Sequence, residues 1–351
     1  MIGRSRPLQL LSLTVVVVAA LSLVSLTIAL AGFDVSTAAR AALDGAFGGS
    51  FAIFSATLKR TTPLLFLGVA VAVAFRAGVL NIGAEGQFLA GAAAAAAVGL
   101  HAPVESAVMM LPLEFAAAAT AGMGWAAIAA WLKARFGVTE VVSTLLLNFV
   151  AINAVGFLVR GPLQEPTFTY PQTLPLGESA RLPLLVDSQR LHWGFVIALL
   201  VAIGAWWVFQ NTAAGFRARI SGISRSAAES AGLIAVGRVQ ASALLASGAI
   251  AGIAGFSEVA GVTYRLYEGL SPGYGYTAIA VALLGRLHPI GIIASAVLFG
   301  ALGSGADSMQ RNAGIPAEFA SVLAAVILLG VLALPAAEAL LARKFRVARA
   351  L

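Results

Sequence analysis

Uninterrupted apolar runs, most of them long enough to cross a bilayer, recur from one end of this 351-residue chain to the other. A hydrocarbon layer of about 30 Å takes roughly 20 helical residues. The runs fall near 8–31, 62–76, 79–99, 104–132, 138–159, 191–210, 237–262, 272–285, 289–306 and 317–341. They leave no room for a sizeable soluble domain. Only 11% of the residues are charged and the mean hydropathy is +0.94, whereas a soluble domain carries roughly 25% charged residues. In lipid a helix pairs its own backbone polar groups. The expected fold class is therefore an all-α integral membrane protein of about ten transmembrane helices, with 1–351 as a single transmembrane domain.

The first run, Leu8 to Ala31, follows Arg4 and Arg6 and ends in Ala29-Leu30-Ala31, which imitates a signal-peptidase site. A signal peptide has an apolar region of only about 7–15 residues, so a retained first span is expected. An N-terminus in the cytoplasm puts 14 of the 22 basic residues inside, among them Arg76, Lys133, Arg217, Arg219, Arg225 and Arg238. This satisfies the positive-inside rule with both termini cytoplasmic. The net charge of +7 is scattered over the ends of apolar runs and forms no nucleic-acid patch. The chain has no cysteine, which excludes disulfides and thiolate chemistry.

Three connections exceed a turn. Residues 33–61 are read as an outer interfacial segment with Phe47, Phe51 and Phe54 toward lipid. Residues 161–190 form an outer loop with five prolines, and 211–236 an inner loop rich in arginine, serine and alanine. The spans at 62–159 enter from outside and those at 237–341 from inside, the arrangement of an inverted repeat. In that scheme NIGAEGQ (Asn81 to Gln87) corresponds to EGLSPGYGY (Glu268 to Tyr276), both interrupted by glycine.

Asn81, Glu85 and Gln87 stand where a second span of about fourteen residues gives way to the third. At 1.5 Å per residue such a helix covers roughly 21 Å, which puts the junction inside the membrane. Two readings stand. Intramembrane ionisable groups mark pathways by default, and the two amides can donate to and accept from sugar hydroxyls; alternatively Asn81 caps a helix and Glu85 bonds nearby backbone or Arg76. Tyr264, Tyr267, Tyr274 and Tyr276 cluster at the outer end of two spans, either as an aromatic belt or, for Tyr274 and Tyr276, as stacking platforms for a base. In the inner loop, SRSAAES is expected to form a short helix capped by Ser224 and stopped at Gly232. Glu114 and Glu258 are expected to bond across a helix interface or meet internal water. Gly248 with Gly252, and Gly300 with Gly303 and Gly305, are expected to pack helices closely.

No G-x-x-x-x-G-K-[ST] phosphate loop, no H-E-x-x-H and no G-x-S-x-G string occurs, and His101, His192 and His288 lie far apart. No catalytic residue, metal site or cofactor is expected.

AFRAGVLNIGAEGQFLAGA (Ala74 to Ala92), TEVVSTLLLNFVA (Thr139 to Ala151) and GYGYTAIAVALLGRLHPIG (Gly273 to Gly291) resemble the signature segments of nucleoside and simple-sugar permeases of bacterial ABC importers, within the branched-chain amino acid and ribose-type permease superfamily. GFRARISGISRSAAESAGL is similar to that family's cytoplasmic coupling loop. The resemblance runs from about residue 60 to the C-terminus. It implies a ten-helix inverted-repeat permease in the bacterial inner membrane, working with a second related permease, a cytoplasmic ABC ATPase and an external substrate-binding lipoprotein. It carries the coupling role to Gly215, Phe216, Arg217, Arg219, Ala227, Ala228, Glu229 and Gly232; the candidates for the solute pathway remain those read from the residues themselves, Asn81, Glu85, Gln87, Tyr274 and Tyr276. Ser224 departs from the family's usual asparagine or similar polar residue, and Ile220 and Ile223 make this loop more apolar. The competing readings are a stand-alone secondary transporter, which transports in liposomes without a partner, and an intramembrane enzyme, which turns over a substrate in detergent.

Overall fold

In a computed structural model of the chain, the residues described are 6–186, 188–230, 235–316 and, beyond these, 318, 319, 321, 322, 325, 326, 329 and 330. They form the helices α1 (Arg6–Leu30), α2 (Val35–Phe47), α3 (Lys59–Arg76), α4 (Ala84–His101), α5 (Ala107–Phe136), α6 (Glu140–Arg160), α7 (Gly194–Asn211), α8 (Ala213–Ile223), α9 (Arg225–Ser230), α10 (Val236–Glu258), α11 (Tyr274–Leu284) and α12 (Pro289–Ala313). No strand occurs among the described residues, only the isolated bridges Gln172 to Tyr267 and Leu184 to His192. Nine of the ten expected spans coincide with helices. The tenth, 317–341, lies for the most part outside the described residues.

Six helical stretches among the described residues are long and apolar enough to cross a membrane, and α4 is not one of them. Its sequence is largely alanine and glycine. It packs against α5, α6, α10 and α11, so its side chains meet protein more than lipid and need to be small rather than greasy. Helix α11 has only 11 residues, about half the length of a full span.

The second span differs from the expectation. A π-helical stretch, Phe51–Leu58, runs directly into α3, and together they form one element of 26 residues, Phe51–Arg76. At about 1.5 Å per residue this exceeds the hydrocarbon thickness, so a short second span is not what buries the junction at Asn81. Lys59, Arg60 and Pro63 suggest a break, yet the helix continues. The Thr61 and Thr62 hydroxyls bond the carbonyls of Thr57 and Leu58, one turn back, just before Pro63. Phe51 is exposed and Phe54 half-buried on this helix, while Phe47 is exposed at the end of α2.

The chain divides into two compact units, 54–300 and 1–53 with 301–351. In the smaller, Asp34 caps α2 by accepting from the Thr37 N–H at 2.7 Å. The alanine face of α2 packs with Val24, Ile28, Ala306 and Met309. In the larger, α10 lies against α3, α4 and α5, and α11 lies against α3. Close backbone approach makes this possible: a Cβ on Gly252 would stand 2.1 Å from the Ala118 carbonyl oxygen of α5. The expected packing role of Gly248 and Gly252 is what the helices use. The loop 161–190 is stitched to the chain after α10 by hydrogen bonds from Thr173, Leu176 and Leu182 N–H to Leu266, Tyr264 and Ala260.

Candidate solute pathway and coupling arm

Between α3 and α4 the chain is not helical, and Asn81 organises it. Its Oδ1 accepts from the Gly83 N–H at 2.9 Å and from Gln87 Nε2 at 3.1 Å. Its Nδ2 donates to Gln87 Oε1 at 2.9 Å and to the Ser247 hydroxyl of α10 at 2.8 Å. Ser247 in turn donates to the Ala70 carbonyl at 2.6 Å. Asn81 and Gln87 are fully buried, and every donor and acceptor of Asn81 is used. Buried polar groups tolerate so dry a site only when satisfied in this way.

Glu85 lies in the first turn of α4 and reaches α11 instead of Arg76: its Oε2 accepts from the Gly275 N–H at 2.6 Å. The Ser271 hydroxyl adjoins the same carboxylate while accepting from the Gly273 and Tyr274 N–H groups. A carboxylate is favoured at a helix N-terminus, where free N–H groups and the helix dipole converge. Gly275 is required here because a Cβ would stand 2.3 Å from the Glu85 backbone nitrogen. The two glycine-interrupted junctions therefore meet, N-terminus to N-terminus.

The tyrosines divide. Tyr274 packs edge-on against Phe88 at 6.3 Å, and the Tyr276 hydroxyl accepts from Asn148 Nδ2 at 3.3 Å with the residue 38% exposed. Tyr264 lies under the Arg181 guanidinium, and Tyr267 bridges Gln172, so both pack against the loop 161–190.

Sequence reasoning did not single out Asn148. Its Oδ1 accepts from the Gly86 N–H at 2.8 Å and its Nδ2 donates to the Ile82 carbonyl at 2.9 Å, so α6 clamps the broken segment from the other side. An amide inside an apolar span was the available signal, though Asn153 in the same helix offered it equally. Thr144 adds a hydroxyl to the Ile82 N–H at 3.3 Å. Glu114 departs from its expectation: it is fully buried in α5, and neither carboxylate oxygen has a hydrogen-bond partner among the described residues. A Cβ on Gly99 would stand 2.2 Å from its Oε1, with Leu176 and Ala180 also beside that position.

At the other end of the larger unit, α8 begins at Thr212, whose hydroxyl accepts from the Gly215 N–H. Its backbone is pressed against two neighbours: a Cβ on Gly215 would be 2.2 Å from the Val208 carbonyl oxygen of α7, and one on Gly222 2.2 Å from that of Arg76 in α3. On the open side Phe216 is 53% and Ile223 80% exposed, with Arg217 and Glu229 exposed as well. Ala228 is buried on α9, whose Ala227 shares the same turn. Ser224 precedes α9 as expected, its hydroxyl 3.3 Å from that of Ser226. Gly232, expected as the stop, lies outside the described residues. Since Arg76 leads through Gly78 to Asn81, the exposed arm is joined by direct backbone contact to the buried junction.

A membrane bundle of helices broken at facing glycine-rich junctions, with an exposed arm at one end, is the architecture of a transport permease. Residues 53–332 match the family model described as branched-chain amino acid transport system / permease component, and the chain belongs to that family. Among curated relatives, it is 36% identical over 309 residues to the guanosine ABC transporter permease protein of Bacillus subtilis, covering 87% of this chain and 88% of the relative. It is 36% identical over 282 residues to the glucose ABC transporter permease protein of Haloferax volcanii, with 78% and 74% covered. The nucleoside ABC transporter permease protein of Lactococcus lactis is 31% identical over 291 residues, with 80% and 79% covered.

Proposed function

We propose that this chain is the membrane-spanning permease subunit of an ABC importer for nucleosides or related sugar-containing solutes, lying in the inner membrane with both termini cytoplasmic. The observation that carries the reading is the backbone clamp of α8 on Arg76 and Val208 beneath an exposed Phe216 and Ile223. Apolar side chains presented on a polar arm suit a soluble partner, and the names of the relatives point to an ATPase in that place. A second, related permease and an external substrate-binding lipoprotein complete the assembly. The subunit itself performs no covalent chemistry.

In this mechanism ATP binding in the partner moves the arm at Gly215, Phe216, Arg217, Arg219, Ala227, Ala228, Glu229 and Gly232. The Gly222 contact passes the displacement to Arg76 and so to the segment Ala77 to Gly83, on which α4 begins. Because Glu85 ties α4 to α11, the two short helices shift together between outward-open and inward-open states. The reciprocal packing of α3 on α11 and α4 on α10 supports 62–159 and 237–341 as the two halves of an inverted repeat. The solute passes Tyr276, the exposed member of the site, with Tyr274 behind it and Asn81, Glu85 and Gln87 holding the wall that opens.

Co-expression with the neighbouring ATPase, second permease and binding protein tests this. The complete set takes up radiolabelled guanosine or glucose in proteoliposomes with ATP inside, and the single chain is inert. Uptake by the single chain without nucleotide overturns the reading. Arg217→Glu with Arg219→Glu is expected to release the ATPase or to separate hydrolysis from uptake.

A further inference from the structure

A cavity of about 420 Å³ lies between α7, α8 and α10 and is not part of the junction site. Val201 and Val208 of α7, Ala218 of α8 and Ala246 of α10 are among its walls, and Phe209 closes one side. Nearly all of its lining is hydrocarbon. The one hydroxyl, from Ser242, already donates to the Val239 carbonyl at 2.9 Å, so no polar group in the walls calls for a polar occupant. Helix α7 is long and apolar enough to cross a membrane, and Leu200, Ile203 and Trp207 on it are exposed. A cleft with such walls, on a helix with an exposed apolar face, suits an acyl chain.

Two arginines adjoin residues of the cavity wall without lining it. The Arg76 guanidinium stands over the Phe209 ring at 4.7 Å from its centroid. Arg219, next to Ala218, is near enough to Arg76 for the two charges to repel. Its single hydrogen bond is a long one, 3.5 Å from Nη1 to Gln210 Oε1. Among the described residues neither guanidinium has a carboxylate partner, whereas Lys133 and Arg160 do. Arg217 and Arg238 add exposed positive charge on the neighbouring turns. Two neighbouring cations with no carboxylate partner among the described residues, one of them stacked on a wall residue of an apolar cleft, match the two ends of one molecule.

We infer that this cavity binds an anionic phospholipid, with an acyl chain between α7 and α10 and the phosphate between Arg76 and Arg219. Basic pockets between membrane helices take anionic head groups in this way. A zwitterionic lipid fills the cleft and offers the same phosphate, but its own ammonium group offsets that charge, so it compensates the cation pair less well; a soluble anion leaves the cleft empty. Because α8 forms one wall, the bound lipid also holds the arm against α7. The site depends on the membrane setting and on no particular solute or ATPase.

Native mass spectrometry of the full chain in mild detergent tests it, with phosphatidylglycerol and phosphatidylcholine of identical chains as probes. The unaltered protein is expected to retain one phosphatidylglycerol, with a preference of roughly thirtyfold over phosphatidylcholine for two basic contacts. Arg76→Gln with Arg219→Gln should abolish the preference while a chain still binds, Arg219→Lys should keep most of it, and Ala246→Phe should weaken both lipids. Equal retention of the two lipids by the unaltered protein overturns the inference, as does a preference that survives the double substitution. Loss of the preference on adding inorganic phosphate, with Ala246→Phe having no effect, also overturns it, since the site then recognises an anion alone.

Discussion

The Gly275 N–H donates to Glu85 Oε2 at 2.6 Å across 190 residues of sequence, joining the first turns of α4 and α11. A helix N-terminus with a carboxylate against it is stabilised by both hydrogen bonding and the helix dipole. Here the carboxyl comes from another helix that also begins in mid-protein, so the two N-termini cannot separate without unpairing a buried carboxyl and the Gly275 N–H.

Glu85→Gln keeps an acceptor for Gly275, and Glu85→Ala leaves that N–H unpaired. The alanine variant is expected to lose about 1–3 kcal/mol of stability, the glutamine variant less. Gly275→Ala drives a methyl into the Glu85 backbone and is expected to cost about 1–3 kcal/mol. Thermal unfolding in detergent ranks the three. An alanine at 275 without effect would mean that the two junctions are not in contact.

Asn148 satisfies the Gly86 N–H and the Ile82 carbonyl at once. Asn148→Leu should cost about 1–3 kcal/mol for each group left unpaired, in spite of the more apolar side chain. A leucine variant as stable as the parent would show that the clamp from α6 is dispensable.

Glu114 presents the opposite case, a buried carboxylate with no partner among the described residues. Burying an unpaired polar group costs about 1–3 kcal/mol by mutational measures. Glu114→Met, similar in volume, is therefore expected to raise the unfolding temperature. A lowered midpoint would show that the carboxyl finds a partner in the native assembly.

Gly222 lets α8 touch the carbonyl of Arg76, where a Cβ would sit 2.2 Å from that oxygen. Gly222→Val is expected to preserve assembly with the ATPase while reducing uptake per ATP hydrolysed by at least about tenfold. Parallel assays of hydrolysis and uptake decide it; an unchanged ratio would remove this contact from the transmission route.

Asp34 accepts from the Thr37 hydroxyl and N–H and from the Ser36 hydroxyl, and these bonds hold its carboxyl well below the usual carboxylate range. A depressed folded-state value means that the stabilisation is complete above the unfolded value of about 4 and is lost as pH falls from there toward the folded one. Asp34→Ala should therefore melt earlier than the parent at pH 7, with the gap closing below about pH 4. A gap independent of pH would place the effect in packing and not in the cap.

Much of this was legible in the chain itself. The apolar runs located nine helices because hydrocarbon thickness imposes a length on any segment that crosses it. The inner arm showed through as a polar stretch between two spans, and Gly248 and Gly252 announced close packing by their four-residue spacing. Where tertiary contacts override local signals, the sequence misled. A boundary was expected between 33–61 and 62–76, but a π-helical stretch runs through it into α3. Asn148 drew no reading at all, and Glu114, for which an interhelical bond was one expectation, makes none among the described residues. Which glycine meets Glu85, and that Gly222 meets Arg76, depends on distances between segments far apart in sequence. Spacing along a helix fixes only which residues share a face; which face meets which is decided when the helices pack.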